Sequence, residues 1–484
     1  MIFNSIPFLF FFIIVFSLYY FVLKEKTKWQ NILLLIASYM FYAWADYKIL
    51  PLLIISTLCF YGLGIAIDET KSDKRKQLYT ATGVIIGIGT LLYFKYFNFF
   101  ITSFKDLFDS LGLQTHLHTF KIILPIGISF YTFRLLSYII DIQRNKIKPT
   151  RDLTAFSTYI AFFPCILSGP IDRPSTLIPQ LQSQRIFNYS LAVDGMRQIL
   201  WGLFKKVVVA DNCAVFVNQV FGSEYYTQTS GTLIIGAVFY SFQMYADFSG
   251  YSDIAIGVSK LLGFRVTNNF DFPFFAQNIA EYWRKWHISL TSWLTDYVFM
   301  PLNIQWRNWG NKGTIAAILI TFILIGLWHG DNWKFACFGL YHGLLYIPLI
   351  LSGVLFKKNK LTTYGWGFPT IKVLINIMIT FGIVTLGNIL FRADDLIHAF
   401  DYLKGILHFN TLFFMPGDKI LIIKGLFPIA CMLFVEWLER KNQFGLEKLG
   451  ATWKPGFRYA MYYAILFLIF FSMGKEQIFI YFQF

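Results

Sequence analysis

Charged side chains are scarce in this chain. They make up 14% of its 484 residues, whereas hydrophobic residues make up 56% and aromatic residues 20%. Soluble globular proteins carry about 25% charged residues, and the mean hydropathy of +0.53 is well above that of a soluble enzyme of this length. The composition therefore excludes a soluble enzyme and predicts a polytopic membrane protein.

Cysteine and the common catalytic motifs are also sparse. The five cysteines stand singly, without the spacing of a metal or redox site. The chain has no nucleophile elbow, phosphate-binding glycine loop or zinc spacing, so hydrolase triads and nucleotide-driven motors lack their parts. A His-x-His pair at His116 and His118 has no acidic or thiol ligand nearby, and we predict no bound metal.

Positive charge, in contrast, is in excess. The net charge is +15, but the basic residues form short clusters between apolar runs, at 71–76, 144–151, 357–360 and 440–458. This pattern is typical of anchoring to anionic membrane lipid and not of nucleic-acid binding. The loops that hold the clusters are predicted to be cytoplasmic, and counting passages between them places both termini outside.

Long apolar stretches predict about ten to twelve membrane-embedded segments, and stretches this long form helices and not barrel strands. The first run lacks a basic leader region and a small-residue cleavage site, so we expect it to remain as the first helix. The stretches are 5–23, 29–46, 49–67, 78–101, 122–141, 206–222, 231–263, 314–329, 331–355, 371–391, 420–438 and 459–473.

The basic loops can all lie on the cytoplasmic side only if the chain enters the membrane and returns to the same side between 153 and 206. Prolines and glycines at 163–170 favour a re-entrant hairpin there, followed by an amphipathic interfacial helix. Non-helical backbone at membrane depth needs surrounding protein or a water-filled cavity, so the hairpin indicates a polar cavity in the bundle. With no repeat or linker, residues 1–484 are predicted to form a single integral-membrane domain.

His329 ends a run of sixteen residues, 314–329, in which no other side chain is charged. An imidazole in apolar surroundings costs free energy unless a partner reaches it, so it is a functional candidate. A core histidine bonded to a backbone carbonyl is the alternative interpretation.

A second histidine, His287, lies in a basic and aromatic region at 264–312. If 279–300 is one helix, Trp283, Trp286, His287 and Leu290 share a face. Arg284 and Lys285 beside them could hold the phosphates of a donor or contact lipid headgroups. The rings of Trp286 and Trp328 either line an apolar tunnel or pack in its wall.

Asp247 and Asp253 lie within an otherwise apolar span, where carboxylates are costly. Two interpretations remain open. They orient His329 or His287, or they bond backbone groups at a helix break near Gly250. Six residues apart, they cannot form one paired-carboxylate site on a straight helix.

Three segments, MYADFSGYSDIAIG, NFDFPFFAQNIAEYWRKWHISLTSWLTDYVFMPL and GLWHGDNWKFACFGLYHG, closely resemble the membrane-bound O-acyltransferase family, in particular its bacterial alginate O-acetyltransferase branch. The resemblance implies an all-α polytopic bundle with a central tunnel or funnel. It implies that His329 is the catalytic histidine and His287 the second motif histidine.

The activity implied is transfer of an acyl group from a cytoplasmic thioester to hydroxyls of an exported or cell-surface polysaccharide. We expect no bound cofactor, acetyl-CoA as the acyl donor and an extracytoplasmic transferase or esterase-like partner, in the inner membrane. The related D-alanyl branch takes its acyl group from a carrier protein. A transporter of acyl-bearing or lipid-linked molecules and an acyltransferase for lipid or protein hydroxyls are further alternatives.

Overall fold

The computed structural model describes residues 1–113, 118–120, 122–222, 225–355, 357, 361–365, 367–408, 418–474 and 479–480. Every regular element among these residues is a helix, apart from an isolated bridge between Thr363 and Pro369. Two compact units form, Met1–Met196 with Ala255–Thr267 and Arg197–Ile254 with Asn268–Phe484. We call them unit 1 and unit 2; a single integral domain over 1–484 stays a prediction.

Unit 1 is built mainly from the first helices of the chain. These are α1 (Ile6–Ser17), α2 (Thr27–Ala43), α3 (Leu50–Glu69), α4 (Asp73–Leu91), α5 (Phe97–Ser110), α6 (Ile128–Gln143), α7 (Leu153–Ala161), α8 (Pro174–Gln182) and the first part of α9 (Tyr189–Leu203). Helix α6 packs against α3 and α4, and α2 packs against α7. The helical chain runs to Ser110, nine residues beyond the predicted stretch at 78–101.

The predicted hairpin at 163–170 is a non-helical turn whose residues are buried in unit 1. Arg134 of α6 supports it, because its Nη2 donates to the Pro170 carbonyl oxygen at 2.9 Å and its Nη1 to that of Tyr159 in α7 at 3.1 Å. The Phe163 N–H donates to Ser38 Oγ at 3.1 Å. Protein side chains thus partner backbone groups at both ends of this buried turn.

Unit 2 contains the second half of the chain. Its helices are α10 (Asp211–Val220), α11 (Ser230–Leu261, whose last residues belong to unit 1), α12 (Ile279–Lys285), α13 (Ile288–Leu294), α14 (Met300–Gln305), α15 (Asn311–His329), α16 (Trp333–Leu344), α17 (Ile347–Leu351), α18 (Ile371–Arg392), α19 (Leu396–Leu407), α20 (Asp418–Leu438) and α21 (Pro455–Ser472). Shorter helical turns occur in both units. The 3₁₀ turns are Tyr47–Ile49, Tyr225–Thr227, Pro273–Phe275 and Arg307–Trp309, and the π-helical turns are Leu18–Val22, Leu92–Tyr96, Phe204–Ala210 and Thr295–Phe299.

Helices α15 and α16 form a tight antiparallel hairpin. A Cβ at Gly326 would overlap the carbonyl oxygen of Phe335, and one at Gly339 would overlap that of Phe322. Glycine at both positions lets the two backbones approach closely, and α18 also packs against α16.

Among the described residues, seven helices are long and apolar enough to cross a membrane, and Ile6–Val22 is a shorter apolar helix. Each apolar stretch predicted from the sequence overlaps helical chain, although the stretch at 122–141 becomes helical only at Ile128. The prediction of an all-α polytopic protein is therefore confirmed.

Candidate active site: two buried histidines and adjoining cavities

His329 is the last residue of α15, at the end of the α15–α16 hairpin. Only Gly330, Asp331 and Asn332 separate the two helices, and the Asn332 side chain caps α16 by accepting from the Lys334 N–H at 3.0 Å. A Cβ at Gly330 would overlap the Phe335 ring, so the turn has no room for a larger residue. The hairpin therefore fixes the position of the imidazole.

Aromatic rings surround the His329 side chain, which is 5% exposed. The Trp328 ring lies 4.8 Å away, centroid to centroid, and the Phe391 ring of α18 lies 4.9 Å away. Phe338 of α16 is edge-on at 6.1 Å. Three helices of unit 2 thus enclose this imidazole in an apolar setting.

His287 lies at a break between α12 and α13, so 279–300 is not one continuous helix. The backbone of His287 is left-handed, with φ of +44°, a conformation that costs a non-glycine residue about 1–2 kcal/mol. Asn269 stabilises the turn, because its carbonyl oxygen accepts from the Ile288 N–H at 2.9 Å and its Oδ1 from the Ser289 N–H at 3.3 Å.

The Trp328 ring contacts both histidines. Its ring is 5.6 Å from that of His287 and 4.8 Å from that of His329. His287 is 1% exposed and also meets Phe248 of α11 at 4.6 Å. Burial lowers the pKa of His287 to about 3, so its imidazole is neutral near pH 7.

Trp286 packs among the rings of Tyr282, Phe270 and Tyr245, at 5.5, 5.1 and 6.1 Å. Neither it nor Trp328 is among the residues that line the cavities described below. These contacts favour wall packing for Trp286 over a place on a tunnel surface.

The structure pairs both aspartates with lysines and not with a histidine, and the backbone bond of Asp247 does not lie at a helix break. Helix α11 is unbroken at Gly250. Asp247 binds Lys206 at 2.7 Å and accepts from the Ile480 N–H at 2.7 Å. Asp253 binds Lys205 at 2.6 Å and accepts from Gln198 at 2.8 Å.

The lysines that hold these aspartates were missed by the sequence analysis. Lys205 and Lys206 are buried in the π-helical turn Phe204–Ala210, where an uncompensated ammonium would be costly. The signal was present, since two adjacent lysines interrupt an apolar run just before Val207.

His342 is a buried residue that has a structural contact. It is 1% exposed, and its Nδ1 accepts from Trp283 Nε1 at 3.3 Å. This bond orients Trp283, which lines one of the cavities.

Two cavities of unit 2 adjoin α12. The first, which we call the basic chamber, has a volume of about 560 Å³ and is lined by Arg284, Lys285, Arg440, Lys441, Asp271 and Glu281, with Leu361 and Thr363. The second, the apolar groove, has a volume of about 370 Å³, and its lining includes Trp283, Ile288, Thr291, Phe322, Ile325 and Tyr346. Arg284 lines both.

Residues 36–391 match the membrane-bound O-acyltransferase family, and this range contains both histidines. The chain belongs to this family. It is an O-acyltransferase and a multi-pass membrane protein, as the resemblance implied.

Curated relatives of this O-acyltransferase cover most of its length. A Pseudomonas aeruginosa protein named probable alginate O-acetylase is 37% identical over 417 residues, 85% of this chain and 76% of the relative. A peptidoglycan O-acetyltransferase of Helicobacter pylori is 32% identical over 447 residues, 85% of this chain and 80% of the relative. A teichoic acid D-alanyltransferase of Streptococcus thermophilus is 30% identical over 323 residues, 57% of this chain and 75% of the relative.

Within the part of the O-acyltransferase that the structure describes, no group of three or more His, Cys, Asp or Glu residues could hold a metal ion. His116 of the His-x-His pair lies outside the described residues, and His118 is exposed. The five cysteines are free, with Cys165 and Cys213 buried.

Proposed function

We propose that this protein is an inner-membrane O-acetyltransferase that moves acetyl groups from a cytoplasmic thioester to hydroxyls of an exported or cell-surface polysaccharide. The observation that carries the proposal is the placement of two buried histidines on either side of Trp328, at the end of a rigid helix hairpin. The names of the alginate and peptidoglycan relatives support a polysaccharide acceptor. An extracytoplasmic transferase or esterase-like partner completes the transfer, and both chain termini lie outside.

His329 is the general base of this reaction. Its neutral imidazole removes the hydroxyl proton as the acceptor oxygen attacks the thioester carbonyl carbon. When the tetrahedral intermediate collapses, the C–S bond breaks and the proton passes from the imidazolium to the thiolate, giving an ester and a thiol. A positioned base of this kind typically contributes a factor of about 10² to 10⁴ in rate.

His287 has a different role, because burial lowers its pKa to about 3 and makes it a poor proton acceptor near pH 7. A neutral imidazole carries one N–H donor, which can bond the carbonyl oxygen as negative charge develops on it. Such a donor stabilises the transition state without itself exchanging a proton.

The test is substitution of His329 in the full-length protein. We expect His329→Ala to lower acetyl transfer from a labelled thioester by at least about 10²-fold, because the base is removed. Transfer is measured with purified protein in detergent, together with its partner and the polysaccharide, and folding is checked by thermal unfolding. His398→Ala is the matched control, since His398 is also buried but stacks on Tyr225 at 4.2 Å. Unchanged transfer by folded His329→Ala would remove His329 from the mechanism.

D-alanyl transfer from a carrier protein is the second candidate, and the match to a teichoic acid D-alanyltransferase favours it. The same assay with D-alanyl-loaded carrier protein separates the two. Turnover of that substrate, with none of acetyl thioester, would select the second candidate.

A further inference from the structure

Glu436 of α20 is a buried carboxyl that the proposed reaction does not use. The residue is 1% exposed, and its Oε1 accepts from the Tyr245 hydroxyl of α11 at 2.8 Å. We propose that Glu436 is protonated at neutral pH and, in this form, is a positioning residue that holds Tyr245 against the segment carrying His287. The inference rests on the proposed function, because it adds a positioning residue to that reaction.

The polar network around Glu436 holds two ammonium groups and four carboxyl groups in unit 2. Its members are Lys205, Lys206, Asp211, Asp247, Asp253 and Glu436. Lys205 binds Asp253 at 2.6 Å. Lys206 binds Asp247 at 2.7 Å and Asp211 at 2.9 Å, and the Asp211 side chain is 18% exposed, so water shares its charge. Ionisation of the remaining carboxyl would add a negative charge that no third ammonium group balances.

Glu436 is the carboxyl of this network that forms no ion pair in the described chain, since its hydrogen-bond partner is a neutral hydroxyl. The Lys205 ammonium acts on it electrostatically but is bound by Asp253. Arg440, one turn further along α20, donates instead to the carbonyl oxygens of Trp437 at 2.6 Å and Gly367 at 3.4 Å. A proton on Glu436 therefore removes the charge that is least compensated.

Tyr245 connects this carboxyl to the catalytic segment. Its ring lies 6.1 Å from that of Trp286, which directly precedes His287, and 5.8 Å from that of Phe270. Phe270 directly follows Asn269, the residue that stabilises the turn at His287. An ionised carboxylate would draw water toward the Tyr245 hydroxyl, and the ring would shift with it. Loss of the proton therefore loosens the turn at His287.

Infrared spectroscopy of the full-length protein in detergent measures the proton directly. Glutamine keeps the acceptor oxygen for Tyr245 and cannot ionise. The difference between wild type and Glu436→Gln at about pH 7 should contain the carbonyl stretch of a protonated carboxyl, although a glutamate in water is ionised at that pH. Asp401→Asn removes a carboxylate that is 41% exposed and bound to Lys404, and should give no such band. A carboxylate signal from Glu436 in place of the acid band would overturn the proposal.

Hydrogen exchange, read by mass spectrometry, tests the positioning role without turnover. Glu436→Ala should raise exchange of the peptide containing Ile288 and Ser289 by about threefold to tenfold, because the buried Tyr245 hydroxyl loses its acceptor. Tyr245→Phe, which keeps the ring, should raise it similarly, whereas Glu436→Gln should match the wild type. A peptide from α3, in unit 1, should exchange alike in all four proteins. Unchanged exchange at Ile288 and Ser289 in folded Glu436→Ala or Tyr245→Phe would contradict the positioning role.

Acetyl transfer gives the third measurement. Between about pH 7 and about pH 9 the kcat of the wild type should fall more than that of Glu436→Gln, because only the wild type loses this proton. Parallel profiles would overturn the link to catalysis. The proposed function fails separately. If the acid band and the exchange differences hold but the wild type transfers no acetyl group, only the proposed function is lost, whereas transfer without them removes only this role of Glu436.

Discussion

At the scale of single residues, His287 shows how burial sets chemistry. The folded protein excludes a proton from this imidazole until the pH falls to about 3, because burial disfavours the charged form. The unfolded chain binds that proton below about pH 6.5. Between these two values the unfolded state holds more protons, so stability from this group falls as the pH falls.

The prediction concerns His287→Gln, which keeps a polar side chain but cannot titrate. Between pH 7.5 and pH 5 the wild type should lose about 2 kcal/mol more stability than the variant, because only the wild type has this histidine to protonate on unfolding. Thermal unfolding of both proteins in detergent at pH 7.5 and pH 5 measures the difference. His118→Gln, at an exposed position, should behave as the wild type. Equal losses in wild type and His287→Gln would contradict the buried neutral imidazole.

Individual site residues were predictable to different degrees. His329 and His287 could be selected from the sequence, because an ionisable group among apolar residues is conspicuous there. The partner of Asp253 could not, since Lys205 lies 48 positions earlier and only the fold brings them within 2.6 Å. Arg440 and Lys441 were visible as a basic cluster, but nothing local indicated that they face Arg284.

At the scale of elements, the π-helical turn Phe204–Ala210 and helix α11 are joined by buried ion pairs. Lys205 and Asp253 are 4% and 7% exposed, and Lys206 and Asp247 are 8% and 2% exposed. Close packing of Gly202 against Gly250 accompanies them. Removing one member of such a pair leaves a buried charge that water cannot reach.

We expect Asp253→Asn to destabilise the protein by roughly 3–5 kcal/mol, because it removes the carboxylate bound to the buried Lys205 ammonium. The double substitution Lys205→Met with Asp253→Asn should recover most of that loss. Thermal unfolding in detergent provides the measurement, and Asp401→Asn is the control. Asp401 binds Lys404 at 3.0 Å, and the two side chains are 41% and 70% exposed, so its loss should cost about 1 kcal/mol or less. A double variant as unstable as the single one would rule out charge pairing as the cause.

Element type followed from the sequence, but element ends did not. The stretch 314–329 coincides with α15, Asn311–His329, because a long apolar run fixes a helix by itself. The break at His287 has neither glycine nor proline to indicate it. It depends on hydrogen bonds that Ile288 and Ser289 donate to Asn269, eighteen positions before His287, and a pattern of local periodicity does not contain that information.

At the scale of the whole molecule, a test of helix length and hydropathy finds fewer membrane spans than the ten to twelve predicted from the sequence. Seven helices in the described chain pass the test of length and hydropathy. Helix α11 is not among them, since it carries Asp247, Asp253 and Lys260. Helix α6, with Arg134 and Asp141, is too short. Their polar residues are paired inside the protein, so hydropathy alone underestimates what a membrane protein can bury.

The orientation of the chain gives the last prediction. Lys146 lies in a basic loop predicted to be cytoplasmic, Leu113 lies before α6 in a loop predicted to be outside, and both residues are exposed, each at 54%. In a chain with its five native cysteines replaced by alanine, Leu113→Cys should react with a membrane-impermeant maleimide in intact spheroplasts. Lys146→Cys should react only after permeabilisation, because positively charged loops stay on the cytoplasmic side. The reverse pattern would mean that the chain has the opposite orientation in the membrane. The loop of Lys441 would then lie outside, and a cytoplasmic donor could not reach the basic chamber.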